Sequence, residues 1–250
     1  MNRPLEYRAG DKRKRIVISQ PMYFPWIGLF EQIRLADVYV HYDDVQFSKG
    51  SFVNRVQYKT AAGSKWLTVP LRGLKLGQPI AEVMIDYSQD WQRRHLESLR
   101  QAYACAPYSG EMLQIAQDVL RRDCRTISEL AAASIETVCE YYSLGSQDKF
   151  CHSSAVPIAG KSSQRVFEMV RHFDGDIYVT GHGARNYLDH NLFEQNHIRV
   201  EYMNYQKRPY RQEHGEFTPF VSILDLIANM GPGGRDLVCS GTVDWKEFAA

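Results

Sequence analysis

"RIVISQPMYFPWIGLFEQIRLADVYVHY", residues 15–42, is the stretch on which the fold turns. Arg15 to Ser19 reads as a buried strand, and Ile27, Phe30, Ile33 and Leu35 fall near helical spacing, so a helix is expected to run to about Ala36. Pro25 suits the first turn of that helix. Val38 to Tyr42 reads as a second strand ending in Asp43-Asp44. Strand, helix and strand at this separation make a βαβ unit with a parallel sheet. The connecting loop, QPMYFPW, carries two prolines and is therefore deprived of two of its backbone donors. It is unlike a glycine-rich phosphate cradle, in which bare amides do the holding.

Working outward, Val53 to Lys59 and Lys65 to Val69 flank Ala62-Gly63 and suggest a β-hairpin insert, with a further strand from Ile80 to Ile85. From Asp90 to Tyr142 the pattern is helical, broken at Pro107 and around Asp123, which predicts a helical subdomain at about 90–145. Asp90 and Thr126 or Ser128 are the candidate N-caps. Alternation then returns: a helix from Ser162 to Phe173, a strand from Asp176 to Thr180, and a loop from Gly181 to Asp189 opening a helix. A strand from Ile198 to Tyr202 and a helix from Ser222 to Met230 complete the set. The expected fold is one α/β domain over 15–250, a mostly parallel sheet with flanking helices, preceded by a mobile basic arm at 1–14. Residues 1–15 carry six Arg or Lys against two acids.

The totals exclude several classes. A net charge of +1 over 250 residues gives no general argument for nucleic acid. No apolar run approaches the ~20 residues of a membrane span. The N-terminus has no apolar h-region, so a cytoplasmic protein is expected. Five cysteines without CxxC spacing argue against a disulfide framework or zinc knuckle; Cys105 and Cys139 read as small core residues. Among the eight histidines there is neither HExxH nor paired-ligand spacing, so a histidine zinc site is not expected.

Ligands of open parallel sheets bind where strands end at their carboxyl edges. Three polar clusters sit at such ends. The first is Gln20 to Trp26. The second, residues 42–55, holds Asp43, Asp44, Gln46, Asn54 and Arg55. Adjacent carboxylates on a strand face opposite ways, so one of the two aspartates would enter a site, to bind magnesium, hold an ammonium or accept a proton. The plainer reading is an Asp-rich turn cap paired with Arg55. The third cluster is "TGHGARNYLD", residues 180–189, with Gly181, His182, Gly183, Arg185 and Tyr187. Its amides and Arg185 suit a phosphate, a carboxylate or a developing oxyanion, or the glycines simply make a tight turn. His95 falls one helical turn after Trp91 and reads either as a base or as a satisfied core histidine.

Together these stretches resemble the WbqC-like protein family, from about Arg15 to Gly231. The similarity is carried by Gln20-Pro21, Tyr23, Pro25-Trp26 and Gly28, by "DDVQFSKGSFVNR" at 43–55 and "WLTVPL" at 66–71, and by Trp91 and His95 with "APY" at 106–108. "YVTGHGARNYLD" at 178–189, "YQKRPYRQ" at 205–212 and "SILDLIANMG" at 222–231 follow in order. One departure stands out: members usually show His-Gln-Pro at the opening loop, and this chain has Ser19-Gln20-Pro21. A serine does not replace an imidazole that titrates near neutrality. The resemblance implies bacterial origin, a place among surface-polysaccharide or related biosynthetic genes, and attachment of acyl or aminoacyl groups to amino sugars or similar amines.

The expected activity is transfer of an acyl or aminoacyl group from an activated donor, a carrier-protein or coenzyme A thioester, to a small-molecule amine such as an amino sugar. Asp43, Asp44 or His95 would act as base, and Gly181 to Gly183 with Arg185 would face the oxyanion or a donor phosphate. Gln20, Tyr23 and Trp26 would form one wall, and Tyr205, Tyr210 and Gln212 the other, unless Tyr23 and Trp26 are core. A nucleotidyltransferase-like enzyme is the second reading, although the usual HxGH residues are missing. A non-catalytic sugar-binding or assembly protein is the third.

Overall fold

In the computed structural model, which describes residues 13–249, β1 (Arg15–Ser19) lies at the centre of a six-stranded sheet. The Gln20–Trp26 loop leads into α1 (Ile27–Leu35) and then β2 (Val38–His41), which pairs in parallel with β1. Leu29, Phe30 and Ile33 of α1 are almost wholly buried, as helical spacing requires of one face.

A two-stranded antiparallel pair, β3 (Arg55–Thr60) and β4 (Gly63–Thr68), follows. The expected strand over 80–85 is instead a 3-10 turn at Ile80–Glu82 and the short β6 (Met84–Ile85), paired with β5 (Leu71–Arg72). Ile80, Val83 and Ile85 are all buried, a spacing that one pleated strand cannot place on a single face.

Three helices come next: α2 (Trp91–Ala102), α3 (Ser109–Leu120) and α4 (Ile127–Tyr141). Thr126 caps α4 through a capping box with Glu129, whereas Asp90 makes no side-chain cap and its carboxylate pairs with Arg93. Cys139 is buried, but Cys105 falls in the turn after α2 and is exposed, not core.

The chain returns to the sheet at β7 (Phe150–His152), a strand that the sequence reading did not include, parallel to β2. Helix α5 (Ser162–His172) then carries it back across to β8 (Ile177–Thr180), on the opposite side of β1. Next come α6 (His190–Gln195), β9 (Arg199–Met203) and α7 (Ile223–Met230). The antiparallel β10 (Thr242–Asp244) forms one edge, followed by α8 (Trp245–Ala249). Strand order is therefore β10-β9-β8-β1-β2-β7.

Both faces of the sheet are covered, and alternation sorts its side chains. Val17, Tyr39, Ile177 and Val179 join one core with α1, α2, α3, α4 and α7. Ile16, Ile18, Val40, Tyr178 and Val200 join a second core with α5 and α6. Chain progression from β1 runs one way to β2 and β7, then the other way to β8 and β9. The order reverses between β1 and β8, which opens a crevice at their carboxyl ends. No helix among the described residues is long and apolar enough to cross a membrane. Residues 1–12 of the expected basic arm lie outside the described residues.

Candidate functional site

The opening loop divides its aromatics between core and crevice. Phe24 sits at φ +41, a left-handed backbone position unusual for a bulky residue. Helix side chains fix it there: the Phe24 amide donates to Ser134 Oγ of α4 at 2.9 Å, and Ser222 Oγ, at the head of α7, donates to the Phe24 carbonyl at 2.9 Å. Tyr23 and Phe24 are thereby buried. Two residues on, Trp26 emerges, and its indole folds back over Gly28.

A cavity of about 650 Å³ opens at the β1/β8 crevice. Ser19, Gln20 and Trp26 line it after β1, Gln32 from α1, Tyr42 after β2, and Thr180 with the Gly181–Gly183 turn after β8; Ser162, Tyr187 and Tyr205 complete the polar wall. Gln32 Nε2 donates to Tyr205 Oη at 2.7 Å. A Cβ on Gly181 would stand 3.3 Å from that oxygen and 3.6 Å from Gln32 Nε2, so glycine is what lets the turn approach so closely. Burial pushes the Tyr205 hydroxyl up to about 12, against a smaller opposing pull from Gln32, so it stays a donor at neutral pH. The Tyr205 ring packs 4.8 Å from Trp26. On the far side of this pair is a narrow recess rimmed by exposed Lys207 and Arg208.

His182 is the imidazole of the cavity. Its ring packs 5.1 Å from Tyr205 and 4.7 Å from Phe248 of α8. Nε2 lies 2.6 Å from the Met203 carbonyl. A carbonyl only accepts, so Nε2 carries the proton and, in the neutral ring, Nδ1 is the basic nitrogen.

The other candidates lie elsewhere. Asp43 is 2% exposed and does not line the cavity. Its carboxylate accepts from Ser128 Oγ (2.8 Å), His152 Nδ1 (2.7 Å) and the Ser154 amide (3.0 Å). Burial alone would raise this carboxyl, but those hydrogen bonds prevail and hold it well below the usual carboxylate range. Asp44 pairs with Arg165 of α5, not with Arg55. Arg55 is carried to the start of β3, where its guanidinium lies 4.2 Å from the centre of the Trp66 ring. His95 is buried, with Nε2 3.2 Å from the Thr68 carbonyl and Nδ1 3.2 Å from Tyr23 Oη; burial pushes it down to about 4. Asn54 is buried against the Val69 carbonyl, and Gln46 faces a separate recess with Leu74 to Leu76. Tyr210 donates to buried Asp225, Gln212 accepts from Lys59, and Arg185 lies exposed with its guanidinium 5.7 Å from the Phe248 ring. The cavity thus gathers Gln20, Trp26, Gly181, His182, Gly183, Tyr187 and Tyr205, but not Tyr23, Asp43, Asp44 or His95.

Gln32 was missed in the sequence. The available signal was an amide on the apolar face of α1, between Phe30 and Ile33, where a polar side chain needs a partner.

The WbqC-like protein family model matches residues 20–236, a span that takes in nearly every wall of the cavity. The chain belongs to the WbqC-like protein family. It is also 33% identical over 226 residues to "Uncharacterized protein Rv1507c" of Mycobacterium tuberculosis, covering 89% of this chain and 96% of that protein. No solved structure matches the chain significantly. Within the family frame, Ser19 lines the cavity at the end of β1, and the imidazole comes from His182 after β8.

Proposed function

We propose that the protein transfers an acyl or aminoacyl group from a thioester donor to the amine of a hydroxyl-rich acceptor such as an amino sugar. The observation that carries this reading is a crevice of uncharged hydrogen-bonding side chains around one imidazole whose Nδ1 is left as acceptor. Amides and hydroxyls from Ser19, Gln20, Gln32, Tyr42, Ser162, Thr180 and Tyr187 suit neutral hydroxyls, which need both donors and acceptors. His182 Nδ1 takes the proton as the amine nitrogen attacks the thioester carbonyl. A C–N bond forms, the C–S bond breaks, and the same proton passes to the departing thiolate. Tyr205 Oη–H and the amides of the 181–183 turn are the donors for the developing oxyanion. Lys207 and Arg208, beyond the Trp26–Tyr205 partition, and Arg185 suit the phosphates of a coenzyme A or carrier-protein arm.

Strand order favours a second reading, nucleotidyl transfer, because a crevice at such a reversal commonly takes a nucleotide. Against it, none of the residues lining the cavity is Lys, Arg, Asp or Glu, whereas a triphosphate and its metal require fixed charges. A sugar-binding module fits the walls but gives the His182 tautomer no purpose.

The test is to mix the protein with acyl- and aminoacyl-thioesters and nucleotide-linked amino sugars, following thiol release and the mass of the acylated sugar. His182→Ala is expected to slow transfer about 10²–10⁴-fold, with acceptor affinity changed less than tenfold. Pyrophosphate release from ATP would support the second reading instead. Tight sugar binding with no transfer from any donor would support the third.

A further inference from the structure

A second cluster of ligating side chains lies at the carboxyl edge of the sheet, beside the cavity rather than in it. His41 ends β2 and His152 ends β7; these parallel neighbours bring the two residues level, so both imidazoles project to the same side. Their ring centres are 5.0 Å apart. Glu136 reaches across from α4 and places Oε1 3.2 Å from His41 Nε2. One ligand atom of each of the three residues lies within 4.8 Å of the other two.

We propose that this cluster binds one divalent transition-metal ion through His41, Glu136 and His152. Tetrahedral ligands at about 2.1 Å from an ion stand about 3.4 Å apart, so the His41–Glu136 pair already has the required spacing. His41 is fully buried and fixed, while Glu136 and His152, 22% and 36% exposed, have freedom to close the remainder. Two imidazoles and one carboxylate are a donor set for zinc or its neighbours, not for magnesium or calcium.

The surroundings match the same reading. Asp43 accepts a hydrogen bond from His152 Nδ1 and is itself gripped by Ser128 and the Ser154 amide. An anchored carboxylate behind a histidine fixes its tautomer, leaves Nε2 as the ligating nitrogen and raises its basicity. The Asp43 of the opening βαβ unit, which the cavity does not use, thereby acquires a task. The partial exposure of two ligands leaves room for a water or a small ligand in the fourth position.

The experiment uses the full chain, stripped with a chelator and titrated with Zn²⁺ by calorimetry and with Co²⁺ by visible absorption. One ion per chain is expected. Glu136→Gln keeps an oxygen to accept from His41 but removes the anionic ligand, and His152→Ala removes a half-exposed one; each is expected to weaken binding at least tenfold. Asp43→Asn is expected to weaken it about 10–100-fold. Failure of the wild-type chain to bind a stoichiometric ion, or equal affinity in wild type, Glu136→Gln and His152→Ala, would overturn the proposal.

Discussion

Replacing Gly28 with alanine tests whether the Trp26 partition is built as described. A Cβ at Gly28 would lie 2.3 Å from both Cη2 and Cζ2 of Trp26, well inside van der Waals contact, so the indole has to leave its seat. Leaving it breaks the ring pairings with Tyr205 at 4.8 Å and Phe220 at 5.4 Å. Such pairs contribute about 0.5–1.5 kcal/mol each, so their joint loss is about 1–3 kcal/mol. Alanine in place of glycine within a helix returns up to about 1 kcal/mol. The net expectation is a stability loss of about 0–3 kcal/mol, read from urea midpoints, with a marked effect on ligand affinity as well because the partition shapes both recesses. A Gly28→Ala protein that gained the full helix increment and bound ligand as wild type does would show that the indole does not rest on Gly28.

Two further expectations concern stability. His95 is pushed down to about 4 by burial, from an ordinary value of 6.5. Above pH 6.5 neither folded nor unfolded chain holds the extra proton; between 6.5 and 4 only the unfolded chain gains it, so stability falls as pH drops and levels off below 4, by a total of about 3 kcal/mol. Unfolding at pH 7, 6, 5 and 4 should show a steeper limb in wild type than in His95→Phe, which keeps whatever His41 and His190, also held down by burial, contribute; parallel curves for the two would refute the assignment. Thr126→Ala removes the Oγ that accepts from the Glu129 amide and is expected to cost about 0.5–2 kcal/mol. An unchanged urea midpoint would mean that the capping box contributes nothing.

Much of the α/β organisation was legible because it depends on periodicity. The opening βαβ unit, α5 and β8 each present a buried face at the correct spacing. What was not legible depends on which way a loop turns. Nothing local distinguishes Tyr23 from Trp26; Ser134 and Ser222, remote in sequence, pull Phe24 inward and settle which ring meets the crevice. Asp43 and Asp44 lie beyond the end of β2, so strand alternation does not separate them: Ser153 Oγ reaches both carboxylates, and their other partners Ser128, His152 and Arg165 also come from later elements. The strand β7 was invisible for a related reason. At three residues, "FCH" has no alternation to detect, and pairing with β2 alone makes it a strand. With β7 unseen, His41 and His152 could not be recognised as neighbours, and motif spacing argued against any histidine metal site. His182 was visible as part of a glycine turn, but its tautomer required the Met203 carbonyl of β9.

The proposed transfer requires the β1/β8 crevice to hold the acceptor with its amine at His182. A crystal structure of the protein soaked with a nucleotide-linked amino sugar tests it most directly. The sugar is expected between Gln20, Gln32 and Tyr187, with its amine about 3 Å from His182 Nδ1. A sugar bound outside this crevice, or within it with the amine turned away from His182, would rule out His182 as the base.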